Sequence, residues 1–268
     1  MSAGPYDAWV GRTERTRDVL TPGPLRGLAA LFNRDPETWT QGQAPPLAHW
    51  LYFLPSARQS DLAADGHPKR GGFLPPIEAP RRMWAGGRLE FHEPLRIGAV
   101  LERVSTIAGI ASKTGAGSEM TFVTLRHEIF ADDRLAVTEE QDIVYRQAGA
   151  AIAQGAAASR EAEREQAIAP DEPMLFRFSA LTFNAHRIHY DKAYAAGVEG
   201  YPNLVVQGPL IAMWLMHHWL AGGGPPVSFA FRARAPLFCG DTAKICAADR
   251  DLWCLDGAGR VVMSGEVV

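Results

Sequence analysis

The sequence predicts a duplicated α+β fold, and two observations predict it. The first is a repeat: Pro94-Leu-Arg-Ile-Gly98 recurs as Pro236-Leu-Phe-Cys-Gly240. The second is its setting. Each copy follows an apolar strand and precedes another, over residues 100–107 and 242–247, so one loop stands twice in the same topological place. Each half then runs strand, loop and helix, followed by strands.

A chain of 268 residues can bury a full core, as one large domain or two ordinary ones. Its 47% hydrophobic and 21% charged residues separate it from disordered chains. A formal charge of −3 gives no reason to expect nucleic acid or an anionic membrane as a partner. No apolar run approaches the length of a membrane span. Met1 to Val10 lacks a basic stretch followed by an apolar core, so no secretory signal is expected. Cys239, Cys246 and Cys254 are odd in number and match no zinc-ligand spacing. They read as reduced core residues, which points to the cytoplasm.

Residues 10–20 alternate as a strand does, around Val10, Val19 and Leu20. Pro22 to Phe32 carries Leu25, Leu28, Ala29 and Phe32 at helical spacing. Asn33 to Arg82 is rich in Pro, Gly and aromatics, including His49-Trp-Leu-Tyr-Phe-Leu54 and Asp65-Gly-His-Pro-Lys-Arg-Gly-Gly-Phe-Leu-Pro-Pro76. Irregular segments this long within a domain are usually lids or binding loops. Trp84 to Tyr145 reads as repeated strands with turn signals, Lys113-Thr-Gly-Ala-Gly-Ser118 among them. The Gly115-x-Gly117 pair lacks the strand-to-helix setting of a nucleotide-binding loop. Residues 148–170, rich in Ala, Glu and Arg, read as a surface helix or linker. They divide the chain into an N-terminal unit, 1–147, and a C-terminal unit, 171–268.

The chemistry concentrates in Phe178-Ser-Ala-Leu-Thr-Phe-Asn-Ala-His-Arg-Ile-His-Tyr-Asp191. This stretch reads as strand giving way to polar loop, and it sets Asn184, His186 and His189 close together. Downstream, Val205-Val-Gln-Gly-Pro-Leu210 meets the helical pattern Leu210, Met213, Trp214, His217. Proline favours the first turn of a helix, so Gly208 falls at the helix N-terminus with its N–H free. A histidine beside such an N–H can move a proton next to a polarised carbonyl.

Plainer roles compete with these. His189 can be purely structural, and His186 can either contribute to catalysis or bond a loop backbone. The two could bind a metal with His217 or His218, but the Glu of a helical His-Glu-x-x-His motif is missing. Without a cysteine cluster or dinucleotide fingerprint either, no metal and no redox cofactor is expected. Asp191 can cap the next element or orient a histidine. Met213, Trp214, His217 and His218 are most simply core or interface residues.

With the repeat and the His189 loop in place, the chain resembles the MaoC-like hydratases and dehydratases of the hot-dog fold. More narrowly, it is similar to double-hot-dog proteins with a FAS1-like dehydratase N-terminal domain. That branch holds mesaconyl-C4-CoA hydratases, itaconyl-CoA hydratases and mitochondrial-type 3-hydroxyacyl-thioester dehydratases. In the first half the resemblance rests on Gly71-Gly-Phe-Leu-Pro-Pro76, Arg82-Met-Trp-Ala-Gly-Gly-Arg88 and Val137-Thr-Glu-Glu-Gln-Asp-Ile-Val-Tyr-Arg146. In the second it rests on Phe176 to Asp191 and Gln207-Gly-Pro209. It implies an α+β double hot dog, two antiparallel sheets each wrapped around a central helix, with helices near 22–32 and 208–221. The general motif has an aspartate, an asparagine two positions on and a histidine three further. Those slots hold Asn184, His186 and His189, so the carboxylate is replaced by an amide.

The implied activity is that of a hydro-lyase: reversible hydration of an enoyl thioester, on a short branched or dicarboxylic acyl-CoA such as mesaconyl-C4-CoA or itaconyl-CoA. His189 would trade the proton, Asn184 would hold water or hydroxyl, and Gly208 would stabilise charge on the thioester oxygen. His186 and Asp191 would support them. The catalytic site falls in the C-terminal unit, because the equivalent stretch Thr21 to Pro36 has no histidine, and the N-terminal unit supplies the acyl pocket. Gln207, Arg70, Gly71, Gly72 and Phe73 are the substrate-binding candidates. Arg70, with Lys69, Arg81 and Arg82 nearby, is either a solvated loop tip or a clamp for a substrate carboxylate or coenzyme A phosphates. Partners are thus a small acyl-CoA or acyl-carrier substrate, with pairing into a homodimer left open. Three alternatives remain: an acyl-carrier-protein dehydratase of fatty-acid synthesis, a hot-dog thioesterase and a non-catalytic acyl-thioester binder.

Overall fold

The computed structural model describes residues 5–115, 118–147 and 154–268. The N-terminal half holds β1 (Thr13–Val19), α1 (Pro22–Leu31), β2 (Arg81–Phe91), β3 (Val100–Gly115), β4 (Ser118–Ala131) and β5 (Arg134–Arg146). The C-terminal half holds β6 (Arg164–Ile168), α2 (Glu172–Leu181), α3 (Lys192–Gly197), α4 (Gly208–Leu220), β7 (Ser228–Ala233), β8 (Ala243–Ala248), β9 (Asp251–Leu255) and β10 (Val261–Val267). All strands pair antiparallel in one ten-stranded sheet, ordered β1-β3-β4-β5-β2-β7-β10-β9-β8-β6. Counted from either edge the order is the same, once β6 is matched to β1 and β8 to β3. That is the duplication in space. Gly98 and Gly240, which close the repeated loops, share positive φ values of 91° and 84°.

The halves meet where β2 pairs with β7, with Gly86 opposite Arg232 and Leu89 opposite Phe229. A Cβ at Gly86 would stand 2.5 Å from the Phe231 carbonyl oxygen, and one at Gly87 2.9 Å from the Phe231 ring. The two glycines of the Arg82–Arg88 motif therefore let the edges close. One apolar core crosses the join, including Leu89, Phe229, Phe231, Leu210 and Met213.

The C-terminal half has the expected central helix. α4 is apolar on every side, as a helix buried all round must be, and it lies against β8, β9 and β10 with Leu210 to Met216 buried. The N-terminal half differs from expectation. α1 is the counterpart of α2, against which it packs, and not of α4. In the place that the duplication assigns to a counterpart of α4, the chain runs irregularly from 32 to 80, with a short 3-10 turn at Ala48–Leu51. Its many prolines and glycines disfavour a long helix. Glu139 on β5 ties this segment down: its buried carboxylate bonds His49 Nε2 at 2.9 Å and accepts from Trp50 Nε1 at 3.1 Å. Burial alone would raise this carboxyl, but the bonds from His49 and Trp50 hold it below the usual range.

Two further expectations are corrected. The stretch beginning at Phe178 is the end of a helix, not of a strand. Asp171 caps α2 by accepting the Met174 N–H at 2.9 Å, and Pro173 sits in its first turn. β6 lies inside the segment read as a linker and pairs with β8, so it belongs to the C-terminal sheet. Residues 148–153 of that segment, and Gly117, lie outside the described residues. The three cysteines are buried free thiols. Among the described residues no helix is long and apolar enough to cross a membrane.

Glu139→Ala would leave buried His49 and half-buried Trp50 without this acceptor. Urea denaturation should show a loss of about 3 kcal/mol or more, the scale of breaking a buried charged contact by removing one side.

Candidate active site

α2 ends at Leu181, and Phe183 takes a left-handed φ of 48° that turns the chain into the histidine loop. The Asn184 side-chain oxygen accepts the His186 backbone N–H at 3.0 Å, closing a local turn. A 3-10 turn at Arg187–His189 then buries the His189 ring. Its Nδ1 lies 2.7 Å from the Val205 carbonyl oxygen. A carbonyl only accepts, so Nδ1 carries the proton and Nε2 keeps the lone pair. Burial pushes the His189 pKa down to about 4, against an opposing rise from the Val205 bond. The ring is therefore a neutral imidazole at working pH.

Val205 precedes α4, so the same short segment fixes the imidazole and delivers Gly208. The first N–H groups of a helix have no partner within it, and they carry the positive end of its dipole. A Cβ built at Gly208 meets nothing within 4 Å, so the position opens onto free space. His189, Asn184 and Gly208 all line one cleft of about 2190 Å³, more than twice the roughly 1,000 Å³ of a large small-molecule pocket.

The N-terminal half does more than shape that cleft. Its loop at Asp65-Gly66-His67 docks on the histidine loop, where Arg187 donates its backbone N–H to the Asp65 carbonyl at 2.9 Å and Nη1 to the Ala64 carbonyl at 3.2 Å. Gly66 has a φ of +90°, and a Cβ there would stand 1.8 Å from the Ala185 carbonyl oxygen. Only glycine fits. Asp65 accepts from the His67 backbone N–H and ring Nδ1, each at 3.0 Å. The His67 ring then lies 4.1 Å from that of His186, which meets His189 edge-on at 5.3 Å. Burial lowers the pKa of His67 despite Asp65, and burial followed by the neighbouring His67 lowers that of His186. Burial would raise the Asp65 carboxyl, but the His67 bonds outweigh it and hold it well below the carboxylate range.

Asp65 and His67 lie outside the motif slots at 184–189, so the motif does not mark them. The available signal was a carboxylate two residues before a histidine, separated by glycine. Other candidates land elsewhere. Asp191 touches no histidine: it caps α3 by accepting the Tyr194 N–H at 3.0 Å and binds Arg187 at 2.6 Å. Gln207 lines the cleft, but its amide nitrogen donates to the Leu175 carbonyl and Ser179 Oγ, each at 3.0 Å, tying α4 to α2. Arg70 is occupied by the carbonyls of Ile77 and Pro80. Gly71 and Gly72 are exposed on the cleft rim, and Phe73 packs partly under them against the cluster of Ile77 and Val123. His217 stands edge-on to Phe32 and Trp39, a packing role, and His218 is buried.

Asp65, His67 and His186 are also the group with metal-ligand spacing among the described residues. Each Asp65 carboxylate oxygen already accepts one hydrogen bond from His67.

Residues 47–239 match the family hydroxyacyl-thioester dehydratase type 2. The chain is 46% identical over 248 residues to the mesaconyl-C(4)-CoA hydratase of Chloroflexus aurantiacus, covering 89% of this chain and 87% of that one. The chain belongs to the hydroxyacyl-thioester dehydratase type 2 family. This makes it a hydro-lyase of acyl thioesters. Two solved structures share its fold. A MaoC-like dehydratase from Phytophthora capsici has a TM-score of 0.71 at 12% identity, over 96% of this chain and 95% of that one. A Mycobacterium tuberculosis protein with a double hot-dog fold has a TM-score of 0.57 at 13% identity, over 96% and 95%.

A catalytic base at His189 would set the pH dependence of this family member. The base form is lost as pH falls through about 4, so log(kcat/KM) should hold level down to roughly pH 5 and drop only below it. An inflection near the ordinary histidine value of about 6.5 would place the working group in water-like surroundings instead.

Proposed function

We propose that this chain adds water reversibly across the double bond of a short dicarboxylic enoyl-CoA, mesaconyl-C4-CoA or a close analogue such as itaconyl-CoA. The observation that carries the chemistry is the His189 imidazole, pinned through Nδ1 and keeping its lone pair at Nε2, in one cleft with the N-terminus of α4. Similarity to the mesaconyl-C(4)-CoA hydratase of Chloroflexus aurantiacus supports this choice of acyl group.

In hydration, the oxygen of water bonds to the β-carbon while one of its protons passes to imidazole. The electrons of the double bond move toward the thioester oxygen, where the Gly208 N–H and the helix dipole stabilise the developing charge. The proton then returns to the α-carbon, and dehydration runs the steps backwards. Asn184 can orient the water but cannot take its proton. His67, oriented by Asp65, provides a second imidazole from the N-terminal half, beside His186. Both walls of the cleft come from one chain, so the chemistry requires no second copy. Buried reduced cysteines support a cytoplasmic setting.

The thioesterase alternative needs a carboxylate free to activate water, and Asp65 is engaged on both oxygens. Incubation with crotonyl-CoA and mesaconyl-C4-CoA separates the classes: water addition supports the proposal, while release of free thiol or no reaction overturns it. His189→Ala should lower turnover about 10²–10⁴-fold, the range for a positioned acid or base, with the fold intact by circular dichroism. Unchanged turnover would move the chemistry to another residue.

The mechanism uses no metal and no cofactor beyond the substrate's coenzyme A. Turnover should survive exhaustive chelation; a loss restored by one divalent ion would replace this mechanism with a metal-assisted one.

A further inference from the structure

β2 opens with two adjacent arginines, and the alternation of a strand sends them to opposite faces of the sheet. Arg81 is occupied. Its Nε lies 3.1 Å from a Glu199 carboxylate oxygen, its Nη2 donates to the Glu199 carbonyl, and its guanidinium stands over the Tyr201 ring. Arg70 is also engaged, on the Ile77 and Pro80 carbonyls and over the Tyr145 ring at 5.6 Å.

Arg82 differs from both. It lines the cleft, is half-buried and forms no ion pair among the described residues. Directly across the β2–β5 ladder stands Tyr145, 1% exposed, with no acceptor for its hydroxyl proton among the described residues. Burial raises the Tyr145 pKa, with Arg82 and Arg70 opposing, so the hydroxyl remains a donor. A buried donor without an acceptor destabilises a protein unless a ligand completes it. The Arg82 charge also acts on His67 and His186. That places it beside the candidate acid–base groups, whereas the phosphates of coenzyme A lie a full pantetheine arm from the thioester.

We propose that Arg82 and the Tyr145 hydroxyl form a carboxylate subsite in the acyl part of the cleft, which selects thioesters bearing a second, free carboxylate. A guanidinium presents paired N–H groups to two carboxylate oxygens, and the phenol supplies a third donor. An alkyl group in the same place would leave both donors unpaired, which is how a polar pocket rejects an apolar analogue. The proposal takes its substrate class from the hydratase assignment above, but anion binding at this subsite can be read without turnover.

The test is calorimetric binding of two saturated thioesters that have no double bond to hydrate, freshly prepared succinyl-CoA and butyryl-CoA, which differ by the terminal carboxylate. The wild-type chain should prefer succinyl-CoA at least about tenfold, and Arg82→Gln should weaken succinyl-CoA about 100-fold while changing butyryl-CoA less than about threefold. Tyr145→Phe keeps the ring and should cost succinyl-CoA about tenfold in the same selective sense; it decides the matter if Arg82→Gln fails to fold. Equal weakening of both thioesters would assign Arg82 to coenzyme A and overturn the subsite. A wild-type chain without preference would do the same. Water addition is scored separately. A protein that prefers succinyl-CoA yet hydrates nothing keeps the subsite and loses the hydratase assignment. One that hydrates crotonyl-CoA without any succinyl-CoA preference keeps the assignment and loses the subsite.

Discussion

Backbone pairing between β2 and β7 turns two five-stranded sheets into one, and the site exists only because of it. The ladder itself tolerates many side chains, but Gly86 and Gly87 are needed where the Phe231 backbone and ring come close. Once the edges are joined, the start of β2 faces the helices of the other half. Arg81 then reaches Glu199, and Arg82 enters a cleft shared with His186 and His189. A slip of one residue at this join would exchange the faces of β2 and send Arg82 away from the cleft.

The halves share a topology but not a filling. In the C-terminal half α4 is apolar all round and occupies the concave face of its sheet. In the N-terminal half that place is taken by an irregular segment, held down by the Glu139 contact with His49 and Trp50. A packed helix leaves no room for a ligand; an irregular strap leaves a cleft. The N-terminus of such a central helix is likewise available once and not twice. This is the physical basis of the single site proposed for a duplicated fold.

Three imidazoles stand in succession at that site, and burial keeps each from charging readily. Neutrality matters because adjacent cations would repel one another and leave no base. The Asp65 carboxylate balances this arrangement without entering the motif loop itself. It orients His67, while the Val205 carbonyl orients His189. The amide at Asn184 is therefore not a vacancy in the chemistry: its oxygen serves the backbone turn that positions His186.

The sequence by itself determined the duplication, through its repeated Pro-Leu-x-x-Gly loop, and the N-terminus of α4, through Gly208-Pro209. It also determined the loop that carries Asn184, His186 and His189. Each is a local signal, written within a few consecutive residues whose turn, cap or periodicity follows from their own chemistry. α2 was the local exception, because the aromatic run Phe176 to Phe183 resembles a strand while Asp171 and Pro173, further upstream, set the helix. Only the tertiary structure decided that α1 matches α2, and that Asp65 and His67 stand beside His186. It alone also decided that Arg82, unlike Arg70 and Arg81, has no carboxylate or carbonyl partner among the described residues. Those facts depend on contacts such as Arg187 with Ala64, 123 residues apart. No local pattern records which carbonyl a guanidinium will find at that separation, because the packing of both halves determines the distance.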